Sequence, residues 1–269
     1  MPDASELLAA YDAQLRDHVH DPLPSGASVE RDGPLLRLFR LGGRGFVVYR
    51  DLGGLEGAAL DDLIARQVRV FTERGERFEW KLHGHDRPPD LPRRLRAAGF
   101  VPEDEETVVV AQVDEVASPL RLPEGVSVRE VTERSDLDRI AAVQPAIWQE
   151  DEEPTWLAAS LEAEKRADPK YLTVVVAEVD RTVVCAGWVR FEQGTDFVTL
   201  WGGGTVPAWR GRGVYRAMVA YRANLAAERG FRFIEVDASS DSRPILERLG
   251  FVAVTTTTPY VWSPRANSS

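Results

Sequence analysis

The stretch "TVPAWRGRGVYRAMVAYR", Thr205 to Arg222, decides how this chain is read. It sets four arginines and no acid around Gly211 and Gly213, in a protein whose formal net charge is −10. The acid-free window is wider still, from Phe197 to Ala227; at the chain's overall frequency its 31 residues would hold about five acids. Freedom from carboxylates beside a glycine-rich turn is what a phosphate-bearing ligand requires. The β-rich run "FVTLWGGGTV" precedes the turn. After Gly213, apolar residues at Val214, Met218, Tyr221 and Leu225 share one face of a helix that Gly230 should end. A strand, a turn and a helix start then form an address for an anion. Backbone N–H groups of the first helical turn lack partners and sit at the positive end of the dipole. Glycines let ligand oxygens approach without meeting a Cβ, and Arg210, Arg212 and Arg216 add mobile positive charge. The tetrapeptide "RGRG" alone would equally be a surface turn with solvated arginines. Its context favours the anion site: a strand before, an amphipathic helix after, and a further strand and helix ending in "LGF".

Working outward, "VSVREVT" alternates as a strand, and "SDLDRIAAVQPAIW" and "TWLAASLEAEKRA" (Thr155 to Ala167) read as helices. "YLTVVVAEVD" and "TVVCAGWVRFE" form a hairpin about "DRT". "FRFIEVDA", "SRPILERLG" and "FVAVTTTTPYVW" follow as strand, helix and strand. The predicted order is β-α-α-β-β-β-α-β-α-β, an α/β (α+β) fold with a mixed, mostly antiparallel sheet flanked by helices. The N-terminal half repeats part of this path. At an offset of 155, "LDDLIARQVRVFTERGERFEWKL" aligns with "YRAMVAYRANLAAERGFRFIEVD" at six of 23 positions, and "RRLRAAGF" mirrors "ILERLGF". The pattern predicts a duplication with a boundary at "DEVASPLRLPEG", giving domains 1–118 and 119–269.

The segment from Val126 to Trp262 resembles the GNAT superfamily of acyl-CoA-dependent N-acyltransferases. The motif Arg/Gln-x-x-Gly-x-Gly/Ala stands here as Arg210-Gly211-Arg212-Gly213-Val214-Tyr215, and "LERLGF" matches the family's final block. The resemblance implies a GNAT fold, with acetyl-CoA or another acyl-CoA as co-substrate. Its pyrophosphate would rest on the amides from Gly211 to Tyr215, with Arg210, Arg212 and Arg216 about it. Gly204, Thr205 and Val206 would line the pantetheine arm, and Ser239 would be a further contact. Two positions depart from the family. Tyr215 replaces a small residue, and Leu246 stands where a tyrosine commonly protonates the departing thiolate. The N-terminal counterpart of the loop, "LEGAAL" followed by Asp61 and Asp62, has no arginine and crowds acids at the helix start. It reads as a degenerate GNAT-like domain without a cofactor site.

Amine acylation needs a base, donors for the oxyanion and an acid for the thiolate. Gly202 to Gly204 allow an irregular strand whose N–H, at Gly204, faces the ligand; the same glycines equally serve close packing. Glu235 and Asp237 share a strand face, and Asp237, nearer the strand's C-terminal end, is the candidate base. The acids from Glu150 to Glu153 lie in a loop that in GNAT-like folds borders the acceptor, and they are equally a solvated loop. "HGHD" (His83 to Asp86) has no cysteine or histidine cluster to complete a metal site, and no metal is expected. Cys185, the single cysteine, excludes an internal disulfide and reads as a buried strand residue. The N-terminus lacks a signal-peptide pattern and no apolar run spans a bilayer, so the expected location is cytoplasmic, without a membrane partner. The acidic balance argues against nucleic acid. The expected acceptor is a small-molecule amine, the expected activity N-acetyl transfer. A non-catalytic acyl-CoA-binding module and a site for another phosphate ligand are the alternatives.

Overall fold

The computed structural model describes residues 2–148 and 153–264. Its first helix, α1 (Ala4–Gln14), is capped by Asp3, whose carboxylate accepts from the N–H groups of Ser5 and Glu6. Strands β1 (Ser28–Asp32), β2 (Leu35–Leu41) and β3 (Arg44–Val48) form a meander, and α2 (Gly57–Glu73) crosses to β4 (Phe78–His83). Helix α3 (Leu91–Ala97), the short β5 (Val101–Pro102), β6 (Glu106–Gln112) and α4 (Val113–Val116) complete the first half. The second half runs β7 (Ser127–Val131), α5 (Arg134–Trp148), α6 (Leu157–Ala167), β8 (Leu172–Val179), β9 (Thr182–Phe191) and β10 (Phe197–Thr205). A 3-10 turn at Pro207–Trp209, α7 (Val214–Glu228), β11 (Phe233–Ala238), α8 (Arg243–Glu247) and β12 (Val252–Trp262) follow. This is the order predicted for the C-terminal half. The turn between β8 and β9 takes the left-handed geometry of a tight hairpin, with φ of 46° at Asp180 and 64° at Arg181.

The described strands form one sheet, in the order β1-β2-β3-β4-β12-β6-β11-β10-β9-β8-β7, with β5 beside β12. Two neighbouring pairs are parallel, β3 with β4 and β10 with β11, and the others are antiparallel. The mixed, mostly antiparallel sheet flanked by helices is therefore the architecture found. The fold repeats itself at the same offset. Moving β4 by 155 residues, from Phe78–His83, lands on Phe233–Ala238, the bounds of β11; moving Glu73, the end of α2, lands on Glu228, the end of α7. Both helices stop the same way, at Gly75 (φ 64°) and Gly230 (φ 77°), where only glycine takes a left-handed conformation freely.

The halves exchange their closing strands. β12 pairs with β4, and β6 pairs with β11. Each parallel pair would otherwise expose an open edge at β4 or β11, and the strand from the other half satisfies it. The cores follow the exchange. Tyr260 and Trp262 of β12 pack with Phe78, Trp80, Phe71 and Leu95, while Val109 and Ala111 of β6 pack with Val219, Ala223 and Leu246. Residue 118 falls just beyond α4, in a segment without helix or strand. Helices α2, α3, α7 and α8 cover one face of the sheet, while α1, α5 and α6 cover the other. Among the described residues, no helix is long and apolar enough to cross a membrane.

Candidate active site

Strands β10 and β11 run side by side only where Phe197, Val198 and Thr199 face Phe233, Ile234 and Glu235. Beyond that register both continue, to Thr205 and Ala238, but they part. The parting is shaped by a bulge between Gly202 and Gly204 on β10. Close packing surrounds all three glycines. A Cβ on Gly202 would lie 2.6 Å from the Trp188 ring, one on Gly203 2.9 Å from the Tyr215 ring, and one on Gly204 2.1 Å from Ile147 Cγ2. Gly202 and Gly203 also have positive φ, of 67° and 79°. Beneath the bulge lies Arg222, 1% exposed. Its guanidinium donates to the carbonyls of Trp188 (3.2 Å), Trp201 (3.1 Å) and Met218 (3.0 Å). It has no carboxylate partner among the described residues, and burial lowers its proton affinity.

The anion loop follows directly. Gly211 (φ 73°) and Gly213 (φ 87°) are left-handed, with open space where a Cβ would stand. Gly213 is the N-cap of α7, and no side chain caps the helix, so its first N–H groups face outward. The arginines of the motif divide their work. Arg210 donates to the carbonyls of Thr205 (3.0 Å) and Ile147 (2.6 Å), which ties the loop to β10 and α5. Arg212 lies over the Trp209 ring at 4.7 Å, and Arg216 is exposed. Thr205 is buried and donates to Cys185 Sγ at 3.4 Å, and burial raises the thiol pKa. Val206 joins the same cluster as Cys185 and Val214, so its side chain is a wall of the loop. Ser239, where β11 passes into α8, faces Ser242 with its hydroxyl. Tyr215 packs against the bulge with Ser242 beside its hydroxyl; burial raises its pKa. Leu246 is fully buried against the α7 helix.

On the opposite face, the parting opens into a cavity of about 1190 Å³ between the halves. Thr199 and Trp201 of β10, Glu235 and Asp237 of β11, Lys81 of β4 and Glu106 of β6 line it. Trp156 closes its rim, with ring atoms 3.0 Å from where a Cβ on Gly43 would stand. Asp237, the candidate base from the sequence, is held by Lys81 Nζ through its Oδ2. Glu235 is 5% exposed. Its Oε1 and the Oδ1 of Asp237 are buried without donors among the described residues. Burial first, and the charge of Asp237 second, push the Glu235 pKa well above the carboxylate range. A proton shared between the two carboxyls accounts for both orphaned oxygens. Glu106 is pushed up to about 7, again chiefly by burial and then by Asp237. Of the acidic loop, Glu150 to Glu152 lie outside the described residues; Glu153 is exposed.

In the N-terminal counterpart Tyr49 and its partners stand in the strand gap, beside a cavity of about 340 Å³ that Arg16, Asp86 and Gly54 to Glu56 help to line. Tyr49, beyond β3, donates to Asp86 at 2.6 Å, Arg16 reaches the same carboxylate at 2.5 Å, and Trp80 donates to the Tyr49 hydroxyl at 3.1 Å. His83 bonds Tyr11 at 2.9 Å, and His85 bonds Thr255 at 2.8 Å, which engages "HGHD" in the core. Among the described residues no group of three or more His, Cys, Asp or Glu side chains is placed to hold a metal. The sequence reading missed Lys81 and Glu106. Both belong to the half without an anion loop, and only the strand exchange brings them here.

Residues 137–251 match the Acetyltransferase (GNAT) family. The C-terminal half carries a GNAT domain. Solved structures extend the GNAT fold to the whole chain. A GCN5-related N-acetyltransferase from Kribbella flavida superposes with a TM-score of 0.65 at 17% identity, over 100% of this chain and 98% of that one. A tandem GNAT protein from the clavulanic acid biosynthesis pathway gives 0.62 at 16% identity, over 97% and 94%. A GCN5-related N-acetyltransferase from Sphaerobacter thermophilus gives 0.57 at 18% identity, over 88% and 76%. No curated protein matches the chain by sequence. The GNAT family draws its acyl group from acyl-CoA, and the uncapped helix, the open glycines and the free inner edge of β10 fit that ligand.

The bulge can be tested by packing alone. Gly204→Ala places a methyl 2.1 Å from Ile147 Cγ2, an overpacking expected to cost ~1–3 kcal/mol. Guanidinium denaturation should show that loss, and Ile147→Ala in the same chain should recover part of it as a coupling term. Additive effects of the two changes would mean that α5 does not seat on Gly204.

Proposed function

We propose that the GNAT domain binds acetyl-CoA, or another acyl-CoA, and transfers the acyl group to a primary amine of a small molecule. The observation that carries this reading is the parting of β10 and β11. It lies between the glycine loop at the start of α7 and the acid-lined cavity on the opposite face of the sheet. Gly211 and Gly213 admit the pyrophosphate to the backbone amides up to Tyr215. Arg212 and Arg216 supply charge, and Arg210 holds the loop in place. Gly204, Thr205 and Val206 border the pantetheine arm, and Ser239 closes the far side of the parting. The bound donor supplies an acyl thioester at the parting.

The remaining work falls to this chain's side chains. An alkylammonium has a pKa near 10.4, so a carboxylate of ordinary pKa removes its proton poorly. The Glu235–Asp237 pair is better matched, because burial raises its proton affinity. Lys81 holds Asp237, so Glu235 takes the proton, and this modifies the sequence-based choice of Asp237. The backbone at Gly204 offers the oxyanion donor. Leu246 donates no proton, and a thiolate with a conjugate pKa of about 8–9 leaves near neutral pH without one. The N-terminal half, without an open anion loop, serves as the wall of the acceptor cavity. A single buried cysteine is consistent with a cytoplasmic location.

Two experiments test the assignment. Gly213→Glu puts a carboxylate where the pyrophosphate would sit and should abolish acetyl-CoA binding in calorimetry, while Gly57→Glu, at the matching helix of the N-terminal half, should leave it intact. Equal losses would remove the assignment of the donor to the C-terminal half. For the base, Glu235→Gln should lower kcat/KM roughly 10²-fold or more with acetyl-CoA affinity kept. In the unmodified protein kcat/KM should rise with pH through an apparent pKa above the usual carboxylate range, as Glu235 loses its proton. A variant retaining that limb and rate would place the base elsewhere. Acetyl-CoA binding without turnover on any amine would favour the binding-module reading.

A further inference from the structure

One buried cation is left without a counterion. Among the described residues the buried arginines are Arg16, Arg37 and Arg222. Arg16 meets Asp86, and Arg37 meets Asp32. Arg222 meets no carboxylate. Its Nε and Nη1 donate to the carbonyls of Met218, Trp188 and Trp201. Its Nη2 has no acceptor among the described residues, yet it is not one of the sealed, unpartnered polar atoms of the core. That nitrogen lies beside the bulge, 3.4 Å from where a Cβ on Gly203 would stand.

Backbone carbonyls satisfy hydrogen bonds but carry no net charge, so they offset the burial of a guanidinium only in part. The titratable groups that face Arg222 are Tyr215, at the start of α7, and Cys185, on β9. Burial raises the pKa of both, so neither supplies an anion at neutral pH. Burial also lowers the proton affinity of Arg222, but a guanidinium starts so high that it stays charged. A permanent positive charge therefore stands in the bulge that opens the parting.

The proposed transfer creates an anion at the same place. Acyl transfer forms an N–C bond and breaks the C–S bond, whose electron pair stays on sulfur. The reacting ammonium gives up two protons, one to Glu235 and one to water, and Leu246 has none for the sulfur. A thiolate is thus released at the parting with no acid to neutralise it.

We propose that Arg222 is the counterion of the departing thiolate, holding the bulge through Nε and Nη1 while Nη2 and the net charge serve the sulfur. The proposal rests on the donor reading of the C-terminal half, but bound CoA tests it without turnover. It also explains how the chain works with leucine at position 246. A cation within about 4–6 Å lowers the pKa of an acid by about 1–3, and a leaving group stabilised to that extent departs without a proton.

Titration of CoA bound to the full chain tests this directly. The thiolate is read by its ultraviolet absorbance against protein alone, which subtracts Cys185. The bound thiol should ionise at a pH about one to three below that of free CoA. The affinity of CoA relative to desulfo-CoA, which lacks the thiol, should then rise about 10- to 1000-fold between the bound and the free thiol pKa, because the ionised form is the one favoured on the protein. Arg222→Met removes the charge at similar length and should return the bound thiol to the free value, with desulfo-CoA still bound. If that variant does not fold, Arg222→Lys keeps a charge in place and should keep most of the lowering. A thiol that titrates on the unmodified protein as it does in solution overturns the proposal and leaves the donor reading standing. A lowering that survives Arg222→Met, or is lost in a folded Arg222→Lys, overturns it as well. Failure of both CoA and desulfo-CoA to bind would remove the donor reading and this proposal with it.

Discussion

The parting of two parallel strands is the constraint on which the rest of the structure depends. A continuous β10–β11 ladder would seal the sheet, and nothing could connect its faces. Three devices keep it open. The glycines at 202–204 bulge β10 because the rings of Trp188 and Tyr215 and the side chain of Ile147 leave no room for a Cβ. Arg222 fixes the bulge from below through two β-strand carbonyls, spending a buried charge on backbone geometry. Arg210 ties the outgoing loop to the end of β10 and to α5. Two of the four arginines between Thr205 and Arg222 thus act on the protein itself, and in the proposed function the charge for the ligand falls to Arg212, Arg216 and the helix start.

Exchange of β6 and β12 makes the duplicated halves one object. Each half closes the other's parallel pair, and each hydrophobic core contains residues from both. The two copies differ at the place where their parallel strands end. In the N-terminal copy the Tyr49–Asp86–Arg16 network stands where the C-terminal copy has its parting, with a smaller cavity beside it. That copy presents β4 and the start of β6 to the cavity, Lys81 and Glu106 among them.

Much of this was legible in the sequence because it is local. The acid-free window, the paired glycines and the three- and four-residue spacing of Val214, Met218, Tyr221 and Leu225 each act within a few residues. The offset of 155 matched β4 with β11 at both ends and α2 with α7 at the helix end. The strand exchange was not legible, since either closing strand satisfies the same hydrophobic pattern and register between distant strands leaves no local mark. Lys81 and Glu106 were hidden for that reason. Glu235 and Asp237 were both visible as acids on one face. Which of them is free depends on Lys81, whose approach only the assembled sheet shows. The triglycine could be read as an oxyanion donor or as close packing; the structure displays the packing at every position.

A crystal structure of the full chain with acetyl-CoA bound tests the central claim most directly. The account predicts the pyrophosphate on the amides of Gly211 to Tyr215, the pantetheine between β10 and β11, and the thioester at the parting beside Gly204, open to Glu235 across the sheet. Acetyl-CoA lodged at the α2 start of the N-terminal half, or held at Gly211–Tyr215 with its thioester directed away from the parting, would contradict it.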